Sequence, residues 1–280
     1  MKNQEYDWLL REKYHGEKSE AFLADCARME SGVPLAYIIG SIPFLDCTIY
    51  LDSHPLIPRT ETEWWVEQAI SVVRNTIQST HSVAVTKSPQ RKYSERGRAS
   101  ELLPSELHYQ VLDLCAGSGA IGVAVAKAIP EAVVTFAEID PNHLPTIQKN
   151  LTENTFIYES IKYPVIESDV FSNVTGTFDF ILTNPPYIDA KANTVDASVI
   201  AHEPHLALFG GIGGMEIIAR IITDARAYLT PQIGQLWIEH EPFQADAIME
   251  IAQLHGFESV TYTDQYGTVR YSILTLPVAK

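Results

Sequence analysis

The stretch from Val111 to Gly122, VLDLCAGSGAIG, constrains the fold more than any other part of the chain. It places a short apolar run, a glycine-rich turn and a run of small helix formers in that order. This is the pattern of a buried strand entering a helix through a tight turn. Glycines at 117 and 119 let a ligand approach the backbone closely, and the helix N-terminus supplies free amides. By itself the spacing G-x-G-x-x-G also suits dinucleotide sites and turns that bind nothing.

The rest of the chain after Leu107 extends the pattern. Apolar runs at 109–114, 132–137, 163–167 and 178–182 alternate with helical segments at 119–128 and 142–153. Such alternation predicts a parallel sheet wound with helices. A helix near 214–229, a strand near 233–240 and a helix over 242–255 follow. Strands at 257–263 and 268–275, joined by DQYGT, then predict an antiparallel hairpin. The expected class is α/β: a Rossmann-like, seven-stranded, mostly parallel sheet with a terminal antiparallel hairpin.

Four regions follow from composition shifts. Residues 1–39 read as a short helical module, and 40–78 as a β-hairpin with a connecting helix from Thr60 to Ile77. Thr60 and Glu63 at its start have capping-box spacing. Residues 79–106 lose all apolar period and read as a flexible basic loop, with Lys87, Arg91, Lys92, Arg96 and Arg98. Residues 107–280 read as one α/β domain that carries the glycine-rich turn.

Twenty Lys and Arg against 35 Asp and Glu leave a net charge of −15 over 280 residues, which opposes binding to nucleic acid. The three cysteines are odd in number and dispersed, so neither a disulfide framework nor a zinc site is expected. No apolar run approaches the roughly 20 residues that span a bilayer. A monomeric cytoplasmic protein is the expectation.

Two acids narrow the ligand. Glu138 ends the apolar run after the glycine turn, where a carboxylate accepts from ribose hydroxyls. A nicotinamide cofactor satisfies that equally. Asp113 beside the turn favours S-adenosylmethionine, because a carboxylate there repels a pyrophosphate and attracts a cationic amino-acid group. Asp169 is placed to accept from an adenine amino group, with Val170 or Phe171 against the ring.

The run FDFILT over 178–183 leads into Asn184, Pro185, Pro186 and Tyr187 at its carboxyl end. An amide or aromatic amino nitrogen is a poor nucleophile because its lone pair is delocalised. A rigid turn offering Asn184 Oδ1 and the Pro185 carbonyl orients such an NH2 group toward a methyl carbon, and Tyr187 packs on its plane. NPPY suits bases and side-chain amides alike.

GVPLAYIIG, PLIPRTETE at 55–63, VLDLCAGSGAIGVAVA, FDFILTNPPYI and EPHLALFGGIGGMEII at 203–218 together resemble the glutamine N5-methyltransferases of peptide chain release factors, over roughly residues 30–275. The resemblance implies a class I methyltransferase fold, S-adenosylmethionine as donor, and methylation of the glutamine in a release factor's Gly-Gly-Gln loop. By position it implies that Cys115, Ala116, Gly117, Ser118 and Gly119 meet the methionine part of the donor. Glu138 meets the ribose, Asp169 with Val170 the adenine, and Asn184 to Tyr187 the glutamine. Arg59, Thr60 and Glu61 shape the pocket, and Glu203 with Pro204 belongs to a loop beside the substrate. Cys115, Glu138, Thr60 and Phe209 depart from residues common in the family, and the N-terminal helical module is shorter than in relatives. The rival readings are methylation of an exocyclic base nitrogen and a silent S-adenosylmethionine-binding protein.

Other clusters read as structural. His202 and His205 flank Glu203 without a further ligand, so no metal is expected. Glu239, His240 and Glu241 read as a strand edge, Trp64 and Trp65 as core residues, and Cys115 as a small buried residue.

Overall fold

Two helices, α1 (Lys2–Glu12) and α2 (Glu20–Glu30), and a single turn, α3 (Leu35–Ile39), open the chain in the computed structural model, which describes residues 2–86, 109–155, 163–191 and 196–277. Ser19 caps α2 by accepting from Phe22 N, and Gly40, at φ 91°, ends α3. Leu9, Phe22, Cys26 and Ile38 fill a small core of their own. The buried Asp25 carboxylate takes hydrogen bonds from Lys13, Tyr14 and Arg28, so no charge is left bare there.

The expected hairpin is present as β1 (Ser41–Phe44) and β2 (Cys47–Tyr50). The next helix, α4 (Thr60–Thr86), outruns its expected end at Ile77. Nothing in QSTHSVAVT breaks a helix, since no Gly or Pro occurs before Pro89. The first residues assigned to the loop thus belong to α4, and the basic stretch Lys87 to Arg98 lies outside the described residues. The capping box does not form. Glu63 Oε1 instead accepts from Leu45 N at 2.5 Å, because the hairpin turn brings an unpaired amide within its reach.

The remaining elements are β3 (Tyr109–Leu114), α5 (Ala120–Ala128), β4 (Ala132–Glu138), α6 (Leu144–Asn154), β5 (Val165–Glu167) and β6 (Phe180–Thr183). After them come α7 (Ala197–His202), α8 (His205–Leu208), α9 (Glu216–Ala225), β7 (Gln235–Glu239), α10 (Ala245–Leu254), β8 (Glu258–Thr263) and β9 (Val269–Thr275). The seven-stranded sheet has the order β5-β4-β3-β6-β7-β9-β8. Strands β3 to β7 run parallel, and β9 pairs antiparallel with both β7 and β8. This is the anticipated doubly wound sheet with its closing hairpin. The one-turn helices α7 and α8 were not anticipated, since elements this short show no period.

Period-two alternation divides the core between the two faces of the sheet. Val111, Phe180, Leu182 and Trp237 point toward α4, α5 and the hairpin, whereas Leu112, Ile181, Leu236 and Ile238 point toward α9 and α10. Helix α6 holds the hairpin by side-chain amides. Asn150 accepts from Tyr50 N and donates to Tyr50 O, and Asn154 does the same with Thr48. Residues i and i+4 on the helix thereby copy a strand's hydrogen bonds to residues i and i+2 of β2.

Candidate active site

Strand order reverses at β3. The chain proceeds from β3 outward to β4 and β5, then returns to β6 and continues to β7 on the other side. Connections diverge at the carboxyl ends of β3 and β6, where a doubly wound sheet opens a crevice. A cavity of ≈ 250 Å³ occupies it. Its walls include Cys115 to Ser118 after β3, Glu138 at the end of β4, Asp169 and Val170 after β5, and Asn184 and Pro186 after β6.

Gly117, at φ 55°, lines this cavity, and an added Cβ there would meet no atom within 4 Å. Any side chain at 117 would therefore project into ligand space. Gly119 and Gly122 answer to packing instead: a Cβ would stand 3.0 Å from Ile147 Cγ2 at 119 and 2.3 Å from Phe136 Cε1 at 122. Cys115 and Val170 also hold left-handed conformations, at φ 60° and 51°. For a β-branched residue that is strained, and such strain collects at binding sites.

The buried Glu138 carboxylate is held on both sides by backbone amides, Gly117 N at 2.7 Å from Oε2 and Asp140 N at 2.9 Å from Oε1. Each oxygen keeps a further lone pair for hydroxyls in the cavity. Asp140 lines the same wall and caps the following turn through Asn142 N. Asp169 pairs with Arg220 of α9 at 3.0 Å, both half-exposed. Burial, and next the Glu138 charge, push the Cys115 thiol up to about 12, so it stays protonated. A carboxylate on amides, open backbone at Gly117 and an apolar wall at Val170 and Ile139 suit a nucleoside carrying an amino-acid tail.

A second cavity, ≈ 470 Å³, lies on the other side of the NPPY turn and is lined by Arg59, Asn184, Pro185, Tyr187, Glu241 and Phe243, among others. Leu56, Asn184 and Ala207 border both cavities. Asn184 Nδ2 donates to Thr62 Oγ1 at 3.2 Å, and Tyr187 donates to Glu239 Oε1 at 3.1 Å. Glu239 Oε2 accepts from Thr62 Oγ1 and Trp65 Nε1, both at 2.7 Å. Burial pushes the Glu239 carboxyl up from its ordinary value, and the donors from Thr62, Trp65 and Tyr187 oppose that rise. Burial and the Glu239 charge keep the Tyr187 hydroxyl protonated.

Five expected site residues lie off both cavities. Asp113 is fully buried: one carboxylate oxygen accepts from Gly122 N at 2.8 Å, and the other has no partner. Its place inside β3, beneath the helix, withholds it from the cavity, and burial pushes its carboxyl well above the ordinary range. Gly119 serves the turn. Thr60 is exposed and bonded to Glu61, since a helix beginning at Thr60 turns Thr62, rather than Thr60 or Glu61, toward the cavity. Glu203 is buried at the end of α7 and holds the opposite segment, accepting from Ile57 N at 3.1 Å and from Arg59 Nη2 at 2.5 Å. Pro204 does line the first cavity.

The sequence reading missed Thr62, Glu239 and Arg220. The signal for Glu239 is an acid ending the apolar strand QLWIE, a pattern that on sequence alone reads as a strand edge. Strand β7 is interior to the sheet, and His240 beyond it is also buried, bonded to Ser272 and to the Glu241 carbonyl. Trp65 is fully buried as expected, whereas Trp64 is exposed on the outer side of α4. The rings of His202 and His205 bond to the carbonyls of Ser198 and Ile200.

Residues 97–211 match the model of the methyltransferase small domain family. The chain is 33% identical to the release factor glutamine methyltransferase of Rhodopirellula baltica, over 86% of this chain and 72% of that protein. It is 32% identical to the enzyme of the same name from Bifidobacterium longum, over 89% of this chain and 78% of that one. For the Streptococcus pneumoniae enzyme of that name the identity is 29%, over 96% and 85%. Among solved structures, the hMettl16 catalytic domain in complex with an RNA hairpin matches with TM-score 0.52 at 15% identity, over 82% of this chain and 78% of that one. That likeness is one of fold. Identity at this level along most of both chains, with the sheet order and the NPPY turn in place, makes this chain a member of the release factor glutamine methyltransferase family.

Proposed function

We propose that the protein transfers a methyl group from S-adenosylmethionine to the side-chain amide nitrogen of the glutamine in a release factor's Gly-Gly-Gln loop. The observation that carries this reading is the position of Asn184 on the wall shared by the two cavities. One cavity suits the donor and the other lies across the NPPY turn from it, so Asn184 stands where methyl carbon and acceptor nitrogen would meet.

When bound, the donor supplies a methyl group on a positively charged sulfur that leaves readily. The chain's own work is to bind and orient. Glu138 accepts from the ribose hydroxyls, open backbone at Gly117 admits the methionine part, and Asp169 with Val170 borders the adenine. Asn184 Oδ1 and the Pro185 carbonyl accept the two N–H bonds of the glutamine amide, which aims the nitrogen's lone pair across the shared wall. The two prolines hold these acceptors without entropy loss at each turnover. The amide proton becomes acidic only as the new bond forms, so no strong general base is required.

Mass spectrometry of a bacterial release factor co-expressed with this protein should show one added methyl on the Gly-Gly-Gln glutamine. Transfer to nucleic acid alone, when both acceptors are offered with labelled donor, would overturn the reading.

A further inference from the structure

Glu239 is a fully buried carboxylate beneath the NPPY turn, and three hydrogen-bond donors converge on it from two distant parts of the chain: Thr62 and Trp65 from α4, and Tyr187 from the turn. A carboxylate only accepts. Thr62 carries one hydroxyl proton, and its 2.7 Å contact with Glu239 Oε2 consumes that proton. Toward Asn184, Thr62 Oγ1 can therefore only accept, and the atom of the Asn184 amide that faces it must be the nitrogen. The amide oxygen is then left on the side away from Thr62, and of the two cavities that Asn184 borders the second is the one Thr62 does not line.

We propose that Glu239 and Thr62 form a positioning relay that fixes the polarity of Asn184, so that the site presents a hydrogen-bond acceptor to the incoming nitrogen. The relay rests on the methyl-transfer reading above and deepens it. Without the relay the Asn184 amide is free to turn over, and its NH2 group would then face the substrate NH2 group, donor against donor. With it, the site selects an acceptor that carries N–H bonds and rejects groups that offer lone pairs alone. The direct bond from Tyr187 to the same carboxylate anchors the other end of the NPPY turn, so one buried charge orients both of its polar side chains. Neither Glu239 nor Thr62 is a catalytic residue in this scheme, since both act through Asn184.

Thr62→Val is nearly isosteric and removes only the hydroxyl, and Thr62→Ser restores it. In Thr62→Val, kcat on a release factor should fall more than fivefold while the affinity for S-adenosylhomocysteine changes less than threefold; the melting temperature should fall by a few degrees, because buried Glu239 loses one of its three donors and the Asn184 amide its acceptor. Thr62→Ser should recover at least half of the loss on a logarithmic scale. In nitrogen-15 spectra of the protein without donor, the Asn184 side-chain NH2 pair, assigned by its disappearance in Asn184→Asp, should show one slowly exchanging proton in wild type and Thr62→Ser but not in Thr62→Val. A fivefold or smaller fall in kcat, a Thr62→Ser variant as impaired as Thr62→Val, or an NH2 pair unchanged by Thr62→Val would overturn the relay. A wild-type protein that fails to methylate release factors would instead overturn the functional reading, and the spectra would still decide the relay.

Discussion

Gly117 and Gly122 belong to one glycine-rich motif but answer to different demands. A methyl at 122 would collide with the Phe136 ring, whereas a methyl at 117 would enter open cavity. Gly122→Ala should therefore cost about 1–3 kcal/mol of stability through overpacking, with affinity for S-adenosylhomocysteine changed less than threefold in the folded protein. Gly117→Ala should cost about 1 kcal/mol for its left-handed backbone and weaken that affinity roughly tenfold by occupying ligand space. Thermal unfolding and titration calorimetry on the two variants check the contrast. Asp113 carries a second prediction at this scale. Burial raises its folded-state pKa, so the unfolded chain releases the proton first as pH rises, and this residue's contribution to stability falls from the ordinary carboxylate value upward. Asp113→Asn removes that dependence. Urea unfolding between pH 5 and 8 should show the wild type losing stability relative to the variant as pH rises, with a limiting slope of about 1.4 kcal/mol per pH unit.

At the scale of elements, the β1–β2 hairpin is too short to be stable alone and depends on its attachment to α6. Asn150 supplies more of that attachment than Asn154. It is fully buried, and besides its two bonds to Tyr50 it donates to Ser118 O in the glycine-rich turn, linking the hairpin to the wall of the first cavity. Asn150→Ala should lower stability by about 2–3 kcal/mol, because buried backbone groups of Tyr50 and Ser118 lose their partners. Asn154→Ala, at a half-exposed position, should cost about 1 kcal/mol. Equal losses in urea unfolding would refute the distinction. Helix α4 shows how an element sorts its own motif. The segment RTETE reads as a run of polar candidates, but the helical turn sends Glu63 to the hairpin, leaves Thr60 exposed and brings Thr62 to the cavity.

Across the whole molecule, the segment Pro55–Arg59 and the chain around Glu203 close over the cavities from opposite ends of the sequence, joined by Glu203 to Ile57 N and to Arg59. Glu203→Gln keeps the bond from Ile57 but discharges the ion pair. Because Arg59 retains access to water, the expected cost is about 1–3 kcal/mol rather than that of an isolated buried charge. A double-mutant cycle with Arg59→Gln that gives no coupling would show that the two segments are held by other contacts. The sheet, its closing hairpin, the glycine turn and the NPPY turn were legible in the sequence because each depends on local pattern: apolar runs of strand length, glycine where φ is positive, proline where a turn is stiff. The same pattern misplaced Asp113, since a run of residues does not say whether a strand-end carboxylate faces a ligand or the underside of a helix. Thr62, Glu239 and Arg220 lay beyond local reading for a related reason. Thr62 and Glu239 stand 177 residues apart, and only the reversal of strand order at β3, which puts β6 and β7 beneath the start of α4, brings their side chains into contact. The residue types of the NPPY turn fix which atoms it offers, whatever surrounds it. Which way Asn184 presents them depends on packing between α4 and β7, because the direction of a side-chain amide is set by the partner on its far side.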